Sequence, residues 1–186
     1  AGGLQPRNCL RLEELERKGK RQAAPFRVPE KKRQEVIRRI LGDDFPGVLI
    51  SDCLASYDPH PGRKSKCCSH HLKAISEALD QAPGSQFLRQ VRTLFKASIL
   101  WHSLRDEIDP ADYIHRAHHL ERDLDRLLAE PRGHHAERRI RKRLTKQRPH
   151  LLPFLHVPGA DPTSNLAERQ LRPAAILASN TSTIPI

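Results

Sequence analysis

The sequence has no methionine, not even at position 1, and few aromatic residues. Because a complete, unprocessed translation product begins with methionine, we expect the 186 residues to be part of a longer protein. Aromatic side chains make up 4% of the chain. Proteins that bind single-stranded nucleic acid stack bases on aromatic rings, so this composition argues against such a platform. Contact with the backbone of a duplex fits the composition better.

The chain also lacks long apolar runs and paired cysteines. No segment has the roughly eighteen consecutive apolar residues that a membrane-spanning helix needs, and the first residues lack the apolar stretch of a signal peptide. We therefore expect a cytoplasmic protein. The four cysteines form no C-x-x-C pair, and a chain of this length has room for a core without disulfides. Reduced thiols are expected.

Positive charge is abundant. Lys and Arg total 33 against 22 for Asp and Glu, which gives a formal net charge of +11. Such a field attracts polyanions and raises the affinity for nucleic acid. A helical scaffold whose basic charge is incidental remains an alternative, since charge alone does not exclude it.

The spacing of apolar residues predicts an α/β protein that is mostly helical by residue count. Val48, Leu49 and Ile50 form an apolar run that is typical of a buried central strand. A second short strand is predicted within 64–71. The predicted helices cover residues 30–41, 72–79, 87–104, 110–127 and 135–147. Gly42 is expected to end the first helix, and Asp109 with Pro110 is expected to begin the fourth.

Two acidic residues are candidate catalytic metal ligands. Asp52 follows the predicted strand, at the edge of an α/β sheet where ligands gather. Glu168 lies on a short predicted helix near the other end of the chain. Carboxylates suit phosphoryl transfer with two metal ions, because Mg²⁺ takes hard oxygen ligands. Structural alternatives stay open: Asp52 can cap a turn with Ser51, and Glu168 can complete a capping box with Asn165.

The predicted helix 135–147 carries many basic side chains and only a narrow apolar seam, Ile140 and Leu144. One interpretation is that its basic residues contact DNA phosphates; the other is that they form a solvated face. The residues proposed for DNA contact are Arg139, Lys142, Arg143 and Lys146.

Cysteine and histidine residues lie together at positions 67–71, and both types can bind zinc. Their spacing does not favour a zinc site. Structural zinc takes four ligands at tetrahedral angles, commonly in separated pairs, whereas residues 67–71 are adjacent and have no second pair. We expect the protein to bind no zinc, and we assign Cys68 and His71 a structural role. His115, His118 and His119 are expected to face solvent on their helix.

Three sequence blocks resemble the insertion-sequence transposase family commonly labelled insertion sequence sixty-six. The segment Gly47–Asp52 with Tyr57 resembles the block that carries the family's second catalytic Asp. Cys68-x-x-His71-Leu72 is similar to its C-x-x-H-L block, and Asn165–Pro173 to its N-L-A-E-R-x-L-R-P block, which carries the catalytic Glu. The blocks occur in the family's order, and the resemblance covers roughly residues 30–177.

The resemblance implies a partial RNase H-like core with a large all-helical insertion at about residues 74–150. Residues 1–29 would be an irregular or foreign segment and 178–186 a loose tail. The implied activity is strand cleavage and transfer at transposon ends, dependent on Mg²⁺ or Mn²⁺. Asp52 and Glu168 would be the second and third acids of the catalytic triad. Arg169 and Arg172 would meet DNA phosphates, while Tyr57, Cys68, His71 and Asn165 would complete the structural motif.

One departure from the family pattern bears on activity. The family's first Asp lies on an earlier strand, but residues 1–29 contain no Asp. With one acid missing, metal binding is weakened, so we expect this bacterial transposase core to be inactive alone. The alternative is a non-catalytic DNA-binding or inhibitory fragment that pairs with intact transposase. The implied partner is double-stranded DNA at transposon ends. Further implied partners are a second copy of the chain or accessory transposition proteins. No membrane partner is expected.

Overall fold

The structure is a computed structural model that describes residues 30–165. These residues form five α-helices, two short strands and three 3₁₀ turns. The helices are α1 (Glu30–Leu41), α2 (Cys68–Gln81), α3 (Gln86–Ser103), α4 (Pro110–Ala129) and α5 (His135–Gln147). The strands are β1 (Val48–Ser51) and β2 (Arg63–Lys66), and the 3₁₀ turns are Ala55–Tyr57, Arg148–His150 and Pro153–Leu155. The predicted mixed α/β, mostly helical class is confirmed at this level.

The two strands form a parallel two-stranded sheet. The sequence predicted β1 as a central strand that is buried on both faces. In the structure burial alternates along β1, with Leu49 and Ser51 buried and their neighbours half-buried. Among residues 30–165, only β2 pairs with β1. β1 is therefore an edge strand within the described part of the chain.

The described residues divide into two compact units, of which one contains residues 30–63 with 164–165 and the other residues 64–163. In the described part of the first unit, α1 packs against the turn Ala55–Tyr57. Its small core consists of Ile37, Leu49 and Tyr57, with Leu41 and Leu54 packed against it. Gly42 ends α1 as predicted, with a φ of 73° that a residue without a Cβ adopts at little cost.

The second unit is a bundle of four helices. α3 packs against both α2 and α4, and α5 packs against α2. The predicted start of α4 is confirmed, because the Asp109 carboxylate accepts hydrogen bonds from the N–H groups of Ala111 and Asp112. The predicted seam of α5 is also confirmed: Ile140 and Leu144 are buried, and its bounds agree with the prediction.

The predicted start of α2 was wrong. The sequence placed residues up to 71 in a strand and began the helix at Leu72, whereas α2 begins at Cys68. The backbone N–H of Cys68 donates to the Pro162 carbonyl oxygen at 2.9 Å, so one unpaired donor of the helix start is satisfied by a distant segment.

None of the helices within residues 30–165 combines the length and the apolar composition that a membrane-spanning helix needs.

Candidate functional site

Asp52 lies directly after β1, as the sequence predicted, and its side chain is buried, with 6% of the residue exposed. Its Oδ1 atom accepts a hydrogen bond from the backbone N–H of Leu54 at 3.1 Å. This contact is the turn-capping role that the sequence left open as an alternative. A carboxylate has two oxygens and about four acceptor sites. The turn therefore orients the Asp52 carboxylate without using all of its acceptor sites.

Several predicted site residues lie outside the described part of the chain. Glu168, Arg169 and Arg172 belong to this group. Asn165 is the last described residue and is exposed. The pairing of Asp52 with Glu168 therefore stays a prediction.

The donor chemistry at Asp52 fits one ligand of a Mg²⁺ or Mn²⁺ ion, since a buried carboxylate supplies a hard oxygen. Among residues 30–165, however, the one cluster of three possible ligands involves His118, Glu121 and His156, in the helical bundle. The described residues do not provide a complete ligand set around Asp52.

The motif residues Tyr57 and His71 are both buried. Tyr57 belongs to the small core with Ile37 and Leu49. The His71 ring stacks on Phe95, with ring centroids 5.5 Å apart and planes at 28°. Burial lowers the pKa of His71 to about 3, and the positive charge of Arg143 adds to the effect. The imidazole is therefore neutral at physiological pH.

Cys68 is likewise fully buried in the first turn of α2. Burial raises the pKa of the Cys68 thiol, and the neighbouring Cys67 raises it further. Because metal ions and electrophiles react with the thiolate, a thiol that keeps its proton is a poor ligand and nucleophile. The location of Cys68 supports the structural role that the sequence assigned to it.

A groove with a volume of about 580 Å³ lies at the joint between α4 and α5, and we call it the basic groove. It is lined by Pro131, Arg132, Arg138, Arg141, Lys142, Thr145 and Lys146. Five of these seven side chains are cationic and none is acidic. Such a surface attracts phosphate groups.

Two arginines of the basic groove are positioned by the C-terminal end of α4. Arg141 donates through Nε to the Leu128 carbonyl oxygen at 2.7 Å. Arg132 donates to the Leu127 carbonyl oxygen at 2.8 Å and lies over the Phe87 ring, 4.2 Å from its centroid. These contacts satisfy carbonyl groups that lack partners within the helix. Arg132 Nη2 also lies 3.0 Å from the Glu130 carboxylate, so the Arg132 charge is partly paired. The Arg141 guanidinium carries five N–H donors and contacts the carbonyl oxygens of Leu128 and Ala129, so donors remain there for an anion.

The four α5 residues predicted to contact DNA differ in location. Lys142 and Lys146 are exposed and line the basic groove. Arg139 is exposed but does not line it. Arg143 is half-buried, its Nε atom is buried, and its charge acts on His71. Arg143 is therefore the least accessible of the four.

Sequence reasoning missed two features of the bundle. It did not identify Arg132, which lies in a loop, as a neighbour of the α5 cations. The predicted exposure of His118 is confirmed, but the sequence did not predict that His118, Glu121 and His156 come together. The spacing of His118 and Glu121 on one helix is a visible signal, but nothing in the sequence places His156 beside them.

The model of the Transposase IS66 family matches residues 13–184, which is most of the chain. The chain therefore belongs to the Transposase IS66 family, and its function is of the transposase type. Members of this family are DDE-type enzymes, which typically depend on divalent metal ions. No curated protein and no solved structure is significantly similar to the chain.

Proposed function

We propose that the chain is the catalytic-core region of a DNA transposase that by itself binds duplex DNA without cutting it. Asp52 and Glu168 are the second and third acids of the triad in this proposal, within an RNase H-like core. The observation that carries the proposal is the buried carboxylate of Asp52 at the end of β1, in a chain that belongs to this family.

The location of Asp52 supports a role as a metal ligand. A short strand and a backbone hydrogen bond hold its carboxylate in one place, and catalytic ligands need such rigid support. Mg²⁺ or Mn²⁺ bound by the acids would activate the attacking oxygen and stabilise the leaving one.

The lack of cleavage follows from the acids that the chain carries. Residues 1–29 contain no Asp at the place where the family has its first acid. Two carboxylates hold paired divalent ions less well than three, because each supplies charge and a coordinating oxygen. Metal binding is therefore too weak in this chain to support strand cleavage.

The basic groove supports DNA binding. Its five cations lie together at one joint of the helical bundle. Each phosphate that a cation neutralises releases counterions, so the affinity for a duplex falls as the salt concentration rises. Arg169 and Arg172 would add contacts beside Glu168.

The test combines cleavage and binding measurements on the purified chain. A labelled duplex that carries transposon ends is incubated with Mg²⁺ or Mn²⁺, and the Asp52→Asn variant serves as the control. Binding to the same duplex is measured as a function of salt concentration. We expect salt-sensitive binding and no cleavage.

Two results would count against the proposal in different ways. Cleavage that disappears in Asp52→Asn would mean that the chain holds a complete ligand set, so the inactivity claim would be wrong while the role of Asp52 would stand. An absence of DNA binding at low salt would contradict the proposal as a whole.

The basic groove also favours a second candidate function, in which the chain inhibits transposition by occupying DNA ends or by pairing with intact transposase. The measurement is the effect of added chain on strand transfer by an intact transposase of the same family. Inhibition that is lost in a Lys142→Ala, Lys146→Ala double variant would indicate competition for DNA. Inhibition that the double variant retains would indicate pairing between the proteins.

A further inference from the structure

Three side chains of the helical bundle present possible metal ligands to one point. His118 and Glu121 are three residues apart on α4 and therefore share a face of that helix. His156 follows the turn Pro153–Leu155. The Glu121 Oε2 atom lies 3.4 Å from His118 Nδ1 and 3.2 Å from His156 Nε2. All three ligand atoms lie within 4.8 Å of one another.

These distances fit a tetrahedral metal ion. Zinc binds histidine nitrogen and carboxylate oxygen at about 2.0–2.2 Å, and tetrahedral angles then separate neighbouring ligand atoms by about 3.3 Å. The two measured separations fall on either side of this value. The two histidine rings are tilted by 32°, with centroids 5.3 Å apart. The third separation, between the two histidine nitrogens, is at most 4.8 Å, so these nitrogens must approach each other by no more than about 1.5 Å.

The surroundings hold His156 in place. Arg105 donates to the carbonyl oxygens of Leu155 and Val157, at 3.1 and 3.3 Å, and so fixes the backbone on both sides of His156. Leu155 and the preceding Phe154 are buried in the bundle. A ligand whose backbone is fixed before binding loses little conformational entropy when the metal ion arrives.

From this geometry we infer that His118, Glu121 and His156 bind a first-row divalent transition-metal ion, with Zn²⁺ as the reference ion and water in the fourth position. Two imidazoles and one carboxylate suit such ions, whereas Mg²⁺ prefers oxygen ligands alone. The bound ion would link α4 to the segment after Pro153. This inference does not depend on the proposed transposase activity, because none of its three residues is assigned to the catalytic acids or to the basic groove.

The test is a calorimetric titration of the purified, metal-free chain with Zn²⁺ alone. The visible absorption of Co²⁺ added in place of Zn²⁺ reports tetrahedral coordination. We expect one ion per chain at this site and a higher melting temperature in Zn²⁺, since a ligand that binds the folded state stabilises it. Each of three variants should weaken Zn²⁺ binding at least about tenfold: His118→Ala, Glu121→Gln and His156→Ala. Even residues that only hydrogen-bond to metal ligands typically cost about 10–100-fold in metal affinity when they are mutated.

His115→Ala is the matched control. His115 lies on the same helix, and its ring is paired with that of His119 at 4.9 Å between centroids. The control should bind Zn²⁺ as the original chain does. Loss of binding in His115→Ala, or unchanged binding in His118→Ala and Glu121→Gln, would overturn the assignment. Because His118 is largely exposed, its variant is expected to fold, and circular dichroism checks that it does.

Discussion

The Oδ1 atom of Asp52 accepts the backbone N–H of Leu54 at 3.1 Å. The carboxylate proposed as the second catalytic acid therefore also has a structural contact. Substitutions can separate the two roles, because asparagine keeps the acceptor oxygen and loses the negative charge.

We expect Asp52→Asn to unfold at nearly the same urea concentration as the original chain. Asp52→Ala should lose about 1 kcal/mol of unfolding free energy, since the Leu54 N–H then loses its acceptor. Both variants change the net charge equally, so their difference reports the hydrogen bond. Equal stability of the two variants would show that the hydrogen bond to Leu54 contributes nothing to the free energy of unfolding.

The basic groove makes a prediction for DNA binding. Lys142→Ala and Lys146→Ala should each reduce the slope of log Kobs against log salt concentration by about 0.9, the loss expected for one phosphate contact. Lys96→Ala is the matched control, because Lys96 is exposed on α3 and does not line the groove. An equal loss of slope in all three variants would mean that DNA does not bind the basic groove in preference to other cations on the surface.

The buried His71 predicts a pH-dependent stability. Its pKa is about 3 in the folded chain, against 6.5 for an unperturbed histidine, because burial disfavours the charged form. Below about pH 6.5 the unfolded chain binds a proton at His71 that the folded chain does not bind. The contribution of His71 to stability is therefore present above pH 6.5 and is lost progressively as the pH falls towards 3.

For His71 the expected loss between about pH 7 and pH 5 is about 2 kcal/mol, which urea unfolding at the two pH values measures. The variant His71→Gln lacks this titration, so its stability should fall less over the same interval. Because each protein is compared with itself at the two pH values, the packing cost of the substitution cancels. An equal fall in both proteins would contradict the assigned role of His71.

Ser85 connects two helices of the bundle. Its hydroxyl accepts the Leu88 N–H at 3.1 Å, as the N-cap of α3, and donates to the carboxylate of Glu137 on α5. We expect Ser85→Ala to lower the unfolding free energy by about 1–2 kcal/mol through loss of the cap and of the link. Glu137→Gln should cost less, and a double-mutant cycle should give a coupling energy above about 0.5 kcal/mol. Additive effects of the two substitutions would mean that the link does not stabilise the bundle.

Local residue chemistry predicted much of the helical structure. The bounds of α1 and α5 followed from apolar spacing, and the start of α4 followed from Asp109 and Pro110. The start of α2 could not be predicted in this way. Its first turn is joined by a hydrogen bond to Pro162, which is far away in the sequence.

The candidate site was predicted in part. Asp52 was located at the end of its strand, and its turn contact was foreseen as an alternative. The accessibility of the α5 cations was not predicted, because a run of basic residues does not reveal which of them face a neighbouring helix. Arg143 lies among buried groups, while Lys142 lines a groove one position earlier in the sequence.

By itself, the sequence determined most of the helices, the caps at Gly42 and Asp109, the strand before Asp52, and the three blocks that resemble the transposase family. These features depend on residues only a few positions apart, within reach of one hydrogen bond or one helical turn. Only the tertiary structure decided that Arg132 joins the α5 cations and that His156 meets His118 and Glu121. These groups come from different elements, and they meet because the helices and turns of the bundle bury their apolar faces against one another.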